Sequence, residues 1–327
     1  MFDNFINGIK NGFKVANATR KLVFKDKQLF AFPVISAVIS VIAVVIILAA
    51  GFAVYFAGNF QSLSNSANIA LFIVFMIIVY FVVFLISTYF TMAMLIAFRA
   101  YSQGKKISIG AALGSTSPYM ALIVQWSLFY TIIATIIRFV EGLISAALSR
   151  YGITGRIISS LLTGGINLTL AAITTFALPV ILDEKTGPIQ TIKESTSFIM
   201  KNFGDTFGGL FFAEIFEIAL ILIGFGLIFI GILPFILGSS ASAGTATIIF
   251  TIAFVSLGFI VIIIGVLFRY VLFNCFKLIV YDYKTRKKLP KGFDAKLIEA
   301  SIKKKRKSGG TGGLSAIGLG MGQQGGL

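Results

Sequence analysis

The chain has 327 residues, 57% hydrophobic and only 12% charged, with 28 Lys and Arg against 12 Asp and Glu for a net charge of +16. At a mean hydropathy of +0.96, and with charged residues well below the roughly one quarter usual in soluble domains, the apolar residues are too many for one globular core and must face lipid. The absence of His and the single cysteine, Cys275, exclude imidazole bases, His metal ligands, His-ligated haem, multi-thiolate zinc sites and intrachain disulfides. No catalytic residue, cofactor or metal site is therefore expected.

Residues 1–28 read as an amphipathic helix on the cytoplasmic surface. Phe2, Ile6, Ile9, Phe13 and Ala16 share one face at helical spacing, with Lys10, Lys14 and Lys21 beside it. Largely uncharged stretches follow at 33–57, 69–98, 119–147, 157–182, 208–237 and 247–281. At about 1.5 Å of rise per residue, each can cross a hydrocarbon core roughly 30 Å thick, and the second and sixth must tilt or extend into the headgroups. Six cations precede the first span and no small-residue cleavage site follows a short apolar core, so it reads as a retained anchor. The spans and their loops make one transmembrane domain over 29–282, giving an all-α, polytopic fold of three hairpins.

Residues 283–307 read as a basic cytoplasmic segment and 308–327 as a Gly-rich tail with too little apolar surface to fold. The segment closes in Lys303, Lys304, Lys305, Arg306 and Lys307. A basic run just inside a membrane attracts anionic headgroups at about 1 kcal/mol per cation near the surface, so these five are the candidate anionic-lipid contacts. No aromatic interleaving or recognised module points to nucleic acid.

Outside the spans, Lys and Arg number six before the first, none in 58–68, three in 99–118, two in 148–156, three in 183–207, none in 238–246 and eleven from Lys284 onward. Alternate segments thus hold 23 on one side and 2 on the other. Loops rich in Lys and Arg stay cytoplasmic, which predicts that both termini are inside.

The loop after the second span, SIGAALGSTSPYM, and the loop after the fourth, PIQTIKESTSFIM, align at a constant shift of 80 residues. Ile109 falls on Ile189, Ser115-Thr116-Ser117 on Ser195-Thr196-Ser197, and Met120 on Met200. A second echo joins Asp183-Glu184-Lys185-Thr186 to Asp282-Tyr283-Lys284-Thr285, both at a span's cytoplasmic exit. The chain reads as three units, each an interfacial helix followed by a two-span hairpin.

Leu178-Pro179-Val180-Ile181 before Asp183-Glu184, then Gly187-Pro188-Ile189, Ile192-Lys193-Glu194-Ser195 and Phe203-Gly204, form a distinctive run. The first span begins with Lys25-Asp26-Lys27-Gln28-Leu29-Phe30 and Phe32-Pro33. In both places the chain resembles a set of six-span prokaryotic (archaeal and bacterial) integral membrane proteins of unknown function, although Phe203 stands where such proteins often have Trp. The resemblance implies a six-span fold and carries no activity.

Ionisable groups at membrane depth are expensive and are where function is sought first. Arg138, Glu141, Glu214, Glu217 and Arg269 form the candidate intramembrane charge network. Glu214 and Glu217, three apart, share a helix face at about 13.5 and about 18 Å depth, and Arg269 lies at about 12 Å counted from an interface-snorkelling Lys277. A Glu214–Arg269 pair and a Glu217–Arg138 link are expected, with Glu141 one turn nearer the outer face, reaching headgroups. The acids either bind a proton or cation, or are neutralised by the two Arg to lock neighbouring hairpins; balanced charge favours the lock. Gly164-Gly165, Gly208-Gly209, Gly224, Gly258 and Gly265 are expected at close helix contacts or local unwinding. Thr163-Gly164-Gly165 with Asn167 is the candidate substrate-facing break, against a plain helix end.

The sequence thus predicts a non-enzymatic, multi-pass cell-membrane protein, a scaffold or lipid-interacting component of a membrane assembly. The alternative is a small-solute or ion transporter using Glu214 and Glu217. The expected partners are membrane lipids, with anionic headgroups at the cytoplasmic face, and a second copy or another membrane protein.

Overall fold

A computed structural model describes residues 2–58, 64–237 and 244–287. The expected lipid contacts Lys303–Lys307 and the Gly-rich tail lie outside the described residues, as do the side chains of Phe2, Ile6, Ile9 and Lys10. The protein is all-α and polytopic, with six helical segments among the described residues long and apolar enough to cross a membrane.

Helix α1 (Phe2–Lys25) leads through a 3-10 turn at Lys27–Phe30 into α2 (Ala31–Ala57). Asp26 caps that turn by accepting from the Gln28 N–H at 3.4 Å, and Pro33 sits in the first turn of α2, where its missing N–H costs nothing. Helix α3 (Asn65–Ser102) returns and packs on α2. It starts at Ser64, whose hydroxyl accepts from the Ala67 N–H at 3.3 Å and satisfies one of the helix's free donors.

The second unit opens with the short α4 (Ile109–Gly114), capped by Ser108, and runs through α5 (Met120–Ser149) into α6 (Gly152–Thr174) and α7 (Ala177–Glu184). The third is α8 (Pro188–Leu237) packed along α9 (Thr245–Arg286). Asn202, at φ −127° and ψ 25°, interrupts α8 and divides an amphipathic first part from the span proper. The Asn202 side chain donates to the Phe198 carbonyl at 2.9 Å across that kink.

Burial is concentrated where the basic loops lie. Met92–Leu95 and Phe98 of α3, Ile123 and Trp126 of α5, Ile181 of α7, Val271 and Cys275 of α9, and Leu29 and Phe32 pack into one cluster. Helix α1 joins a second cluster through Ala16, beside Phe176, Phe198, Phe276 and Tyr281. From Ala16 onward α1 thus buries its Ala16–Thr19–Val23 stripe against protein, where the sequence reading expects an apolar face on lipid. The far halves of the helices present exposed Val, Ile, Leu and Phe, among them Val45, Phe72, Phe139, Leu161, Leu222 and Ile263.

Candidate functional site

The α8–α9 seam positions the intramembrane charges. Gly224 and Gly258 face each other so closely that a Cβ on Gly258 would lie 2.6 Å from the Gly224 carbonyl oxygen. Gly265, four residues before Arg269, likewise meets Leu220. Small residues let two backbones approach, and that approach brings Arg269 of α9 to both carboxylates of α8. Arg269 donates from Nε and Nη2 to Glu214 Oε1 at 2.9 and 2.5 Å, and its Nε lies 2.7 Å from Glu217 Oε2. Glu217 is the most buried of the three, its side chain 13% exposed against 37% for Arg269.

The Glu214–Arg269 pair therefore forms, and the Glu217–Arg138 link does not. Arg138 lies on the exposed face of α5 and makes no ion pair among the described residues; its depth suits Glu217, but the helix turns its side chain away. Glu141 accepts from the Asn167 amide of α6 within its own hairpin, and Ser145 and Ser159 add a 2.9 Å hydroxyl contact across the same pair of helices. One cation thus serves two carboxylates, giving a formal charge of −1 with both ionised and zero with one protonated.

The Thr163-Gly164-Gly165 segment is not unwound. Helix α6 is continuous through it, and both glycines face open space, so they mark neither a break nor a close contact. The fourth span breaks instead at Thr175–Phe176, between α6 and α7. The break frees the Phe176 N–H, which donates to the buried Ser195 hydroxyl at 3.1 Å. Ser195, first of the repeated Ser-Thr-Ser, thus ties the amphipathic part of α8 to the broken span. The close contact or unwinding expected at Gly208-Gly209 falls on positions whose packing lies outside the described residues.

A second charge network, unforeseen from sequence, joins the second arms of all three hairpins at the basic-loop end. Arg99 of α3 grips Asp282 of α9 in a fork, Nε to Oδ2 at 2.9 Å and Nη2 to Oδ1 at 2.5 Å. Its Nη1 lies 3.8 Å from Asp183 of α7, which also pairs with Arg286 of α9. Tyr281 adds a 2.7 Å hydrogen bond to Glu184. The side chains of Arg99, Asp183 and Asp282 are only 12–15% exposed, so the planar fork geometry of Arg is used where water is scarce. The signal was the Asp183–Asp282 echo at two span exits; what it lacked was the Arg that both acids meet.

Between that network and the Arg269 cluster lies a partly open cavity of about 280 Å³ among α3, α5, α6, α7 and α9. Arg269 and Lys277 contribute cations to its lining, alongside Thr91, Asn274 and several aromatic rings. Lys277, expected from the sequence to snorkel to the interface, is half-buried in the wall of this cavity, with its ammonium 4.3 Å from the centre of the Phe273 ring. Thr91 is bound to Tyr270 across the α3–α9 contact. No protein-family model matches this chain, and no curated protein or solved structure matches it either.

Proposed function

We propose that this is a non-enzymatic integral protein of the cell membrane, a scaffold or lipid-interacting component of a membrane assembly, with both termini cytoplasmic. The observation that carries the reading is the Arg99–Asp183–Asp282–Arg286 network, which spends four charges on fastening the three hairpins together at one end. The Glu141–Asn167 and Arg269–Glu214–Glu217 contacts spend the polar groups at depth in the same way, within the second and third hairpins. The apolar far halves of the helices then offer wide surfaces to lipid or to a neighbouring protein. The orientation rests on the loop charges, 23 against 2, and the non-enzymatic reading on a composition without imidazole or paired thiols.

One observation favours a second reading, a small-solute or ion carrier. Two carboxylates share one guanidinium beside a cavity, so the cluster has the capacity to take up one proton or monovalent cation. Glu217→Gln separates the two. A scaffold variant loses assembly in polymer-bounded native nanodiscs, or loses thermal stability, with no ion-dependent uptake to lose. A carrier variant stays folded and assembled and loses ion- or pH-dependent uptake in proteoliposomes, which would displace the scaffold reading.

A further inference from the structure

The cavity holds a cation with nothing to neutralise it. The Arg269 fork is occupied by Glu214 and Glu217, whereas no carboxylate of the described residues lies within ion-pair reach of Lys277, whose one close contact of note is the Phe273 ring. A half-buried ammonium within a membrane bundle is costly unless an anion or water joins it. Around it the hydroxyl groups divide into two kinds. Thr91, Thr174 and Thr175 spend their protons on carbonyls one turn back in their own helices, at 2.6, 2.8 and 2.6 Å. Ser87, Tyr130 and Trp126 also line the cavity, and among the described residues their hydroxyl and indole donors make no protein hydrogen bond. Residues of α3 and α5 with unspent donors therefore share one cavity with Lys277 of α9, and no carboxylate is part of the cavity wall.

We infer that this cavity binds a phosphate ester, with Lys277 as the charge that recognises it. A planar carboxylate is matched best by the flat Arg fork, which is already taken; a tetrahedral phosphate accepts from several directions and is well served by a Lys point charge with donors converging from separate helices. A volume of about 280 Å³ has room for a phosphate with a small alcohol, and Trp126 and Phe273 offer that alcohol an apolar wall. Lys277 lies five residues before Asp282, so at about 1.5 Å per residue it is about 7.5 Å along the helix from the charged network. That depth allows the phosphate to come from a phospholipid headgroup drawn into the bundle or from a soluble ester entering from the same side. The inference is independent of the scaffold reading: the lipid source would suit a scaffold and the soluble source a carrier.

The test uses the full-length protein in phosphate-free maltoside detergent, stripped of lipid. In one arm sn-glycerol 3-phosphate and inorganic phosphate are titrated by calorimetry; in the other, phosphatidylglycerol is added and retention is read by native mass spectrometry. Wild type is expected to hold one phosphate ester in at least one arm, and the arm that responds identifies its source. Lys277→Gln is expected to weaken that binding about ten- to a hundredfold, the scale of a charge-assisted hydrogen bond, while Lys277→Arg retains most of it. Circular dichroism and thermal unfolding verify that each variant is folded; if Lys277→Gln does not fold, Ser87→Ala with Tyr130→Phe takes its place, with a loss of at least about threefold expected. Binding in neither arm, or binding undiminished in the folded variants, would overturn the inference.

Discussion

Replacing Arg269 by Met removes the one cation shared by Glu214 and Glu217. Arg269 lies thirteen residues before Asp282 on α9, about 20 Å along the helix from the charged network and so well inside a hydrocarbon core roughly 30 Å thick. An unpaired charge at that depth costs about 2.5–3.5 kcal/mol, while neutralising a Glu at pH 7 from its ordinary value costs about 4 kcal/mol, so the first figure sets the scale. Two carboxylates would give about 5–7 kcal/mol if both were wholly enclosed. Glu214 is 36% exposed and finds relief, whereas Glu217 at 13% carries most of the penalty. The expected net loss is about 3–4 kcal/mol. Adding Glu214→Gln and Glu217→Gln to Arg269→Met abolishes all three charges and should restore stability to within about 1 kcal/mol of wild type, because the penalty lies in the orphaned charges more than in the lost pair. Reversible unfolding in lipid bicelles, followed by steric trapping, measures both variants. A single variant as stable as wild type, or a triple variant no better than the single one, would refute this account of the cluster.

Gly258→Val places a Cβ against the Gly224 carbonyl oxygen and the Ile228 backbone nitrogen, at 2.6 and 3.1 Å. The α8–α9 seam must open, at about 1–3 kcal/mol by the same unfolding assay, while Gly164→Ala, which meets nothing within 4 Å, should not destabilise. Ser195→Ala strands the Phe176 N–H at the break in the fourth span; a loss of about 1–3 kcal/mol is expected, with faster hydrogen exchange at that amide, and unchanged exchange would show that the break does not depend on Ser195. Single cysteines at Lys105 and Arg150, read against the buried Cys275, should label with a membrane-impermeant maleimide from opposite sides, Lys105→Cys from the cytoplasm. Labelling of both from one side would contradict the topology.

A residue's place in the sequence specifies its depth along a helix but not its rotation about the axis. The pairing of Glu214 with Arg269 was legible because consecutive antiparallel helices must be neighbours, and counting residues from a span's end gives depth. Arg138 was misassigned for want of a second coordinate, since depth says nothing of rotation about the helix axis, and α5 turns that side chain outward. Gly164-Gly165 misled for the opposite reason. Glycine permits unwinding without requiring it, and with α6 hydrogen-bonded throughout, the chain breaks instead at Thr175–Phe176, where Ser195 supplies the lost partner for a backbone donor.

Composition and hydrophobic run length alone determined that this is an all-α, six-span membrane protein, because each apolar stretch must hydrogen-bond its own backbone in lipid and only a helix does so within one segment. The meeting of Arg99 with Asp183 and Asp282, the sharing of Arg269 by two carboxylates, and the cavity that turns Lys277 inward were decided only by tertiary packing. Each joins helices distant in the chain, and their azimuth and lateral order are set by how side chains and glycine-lined faces fit, a property no single span encodes by itself.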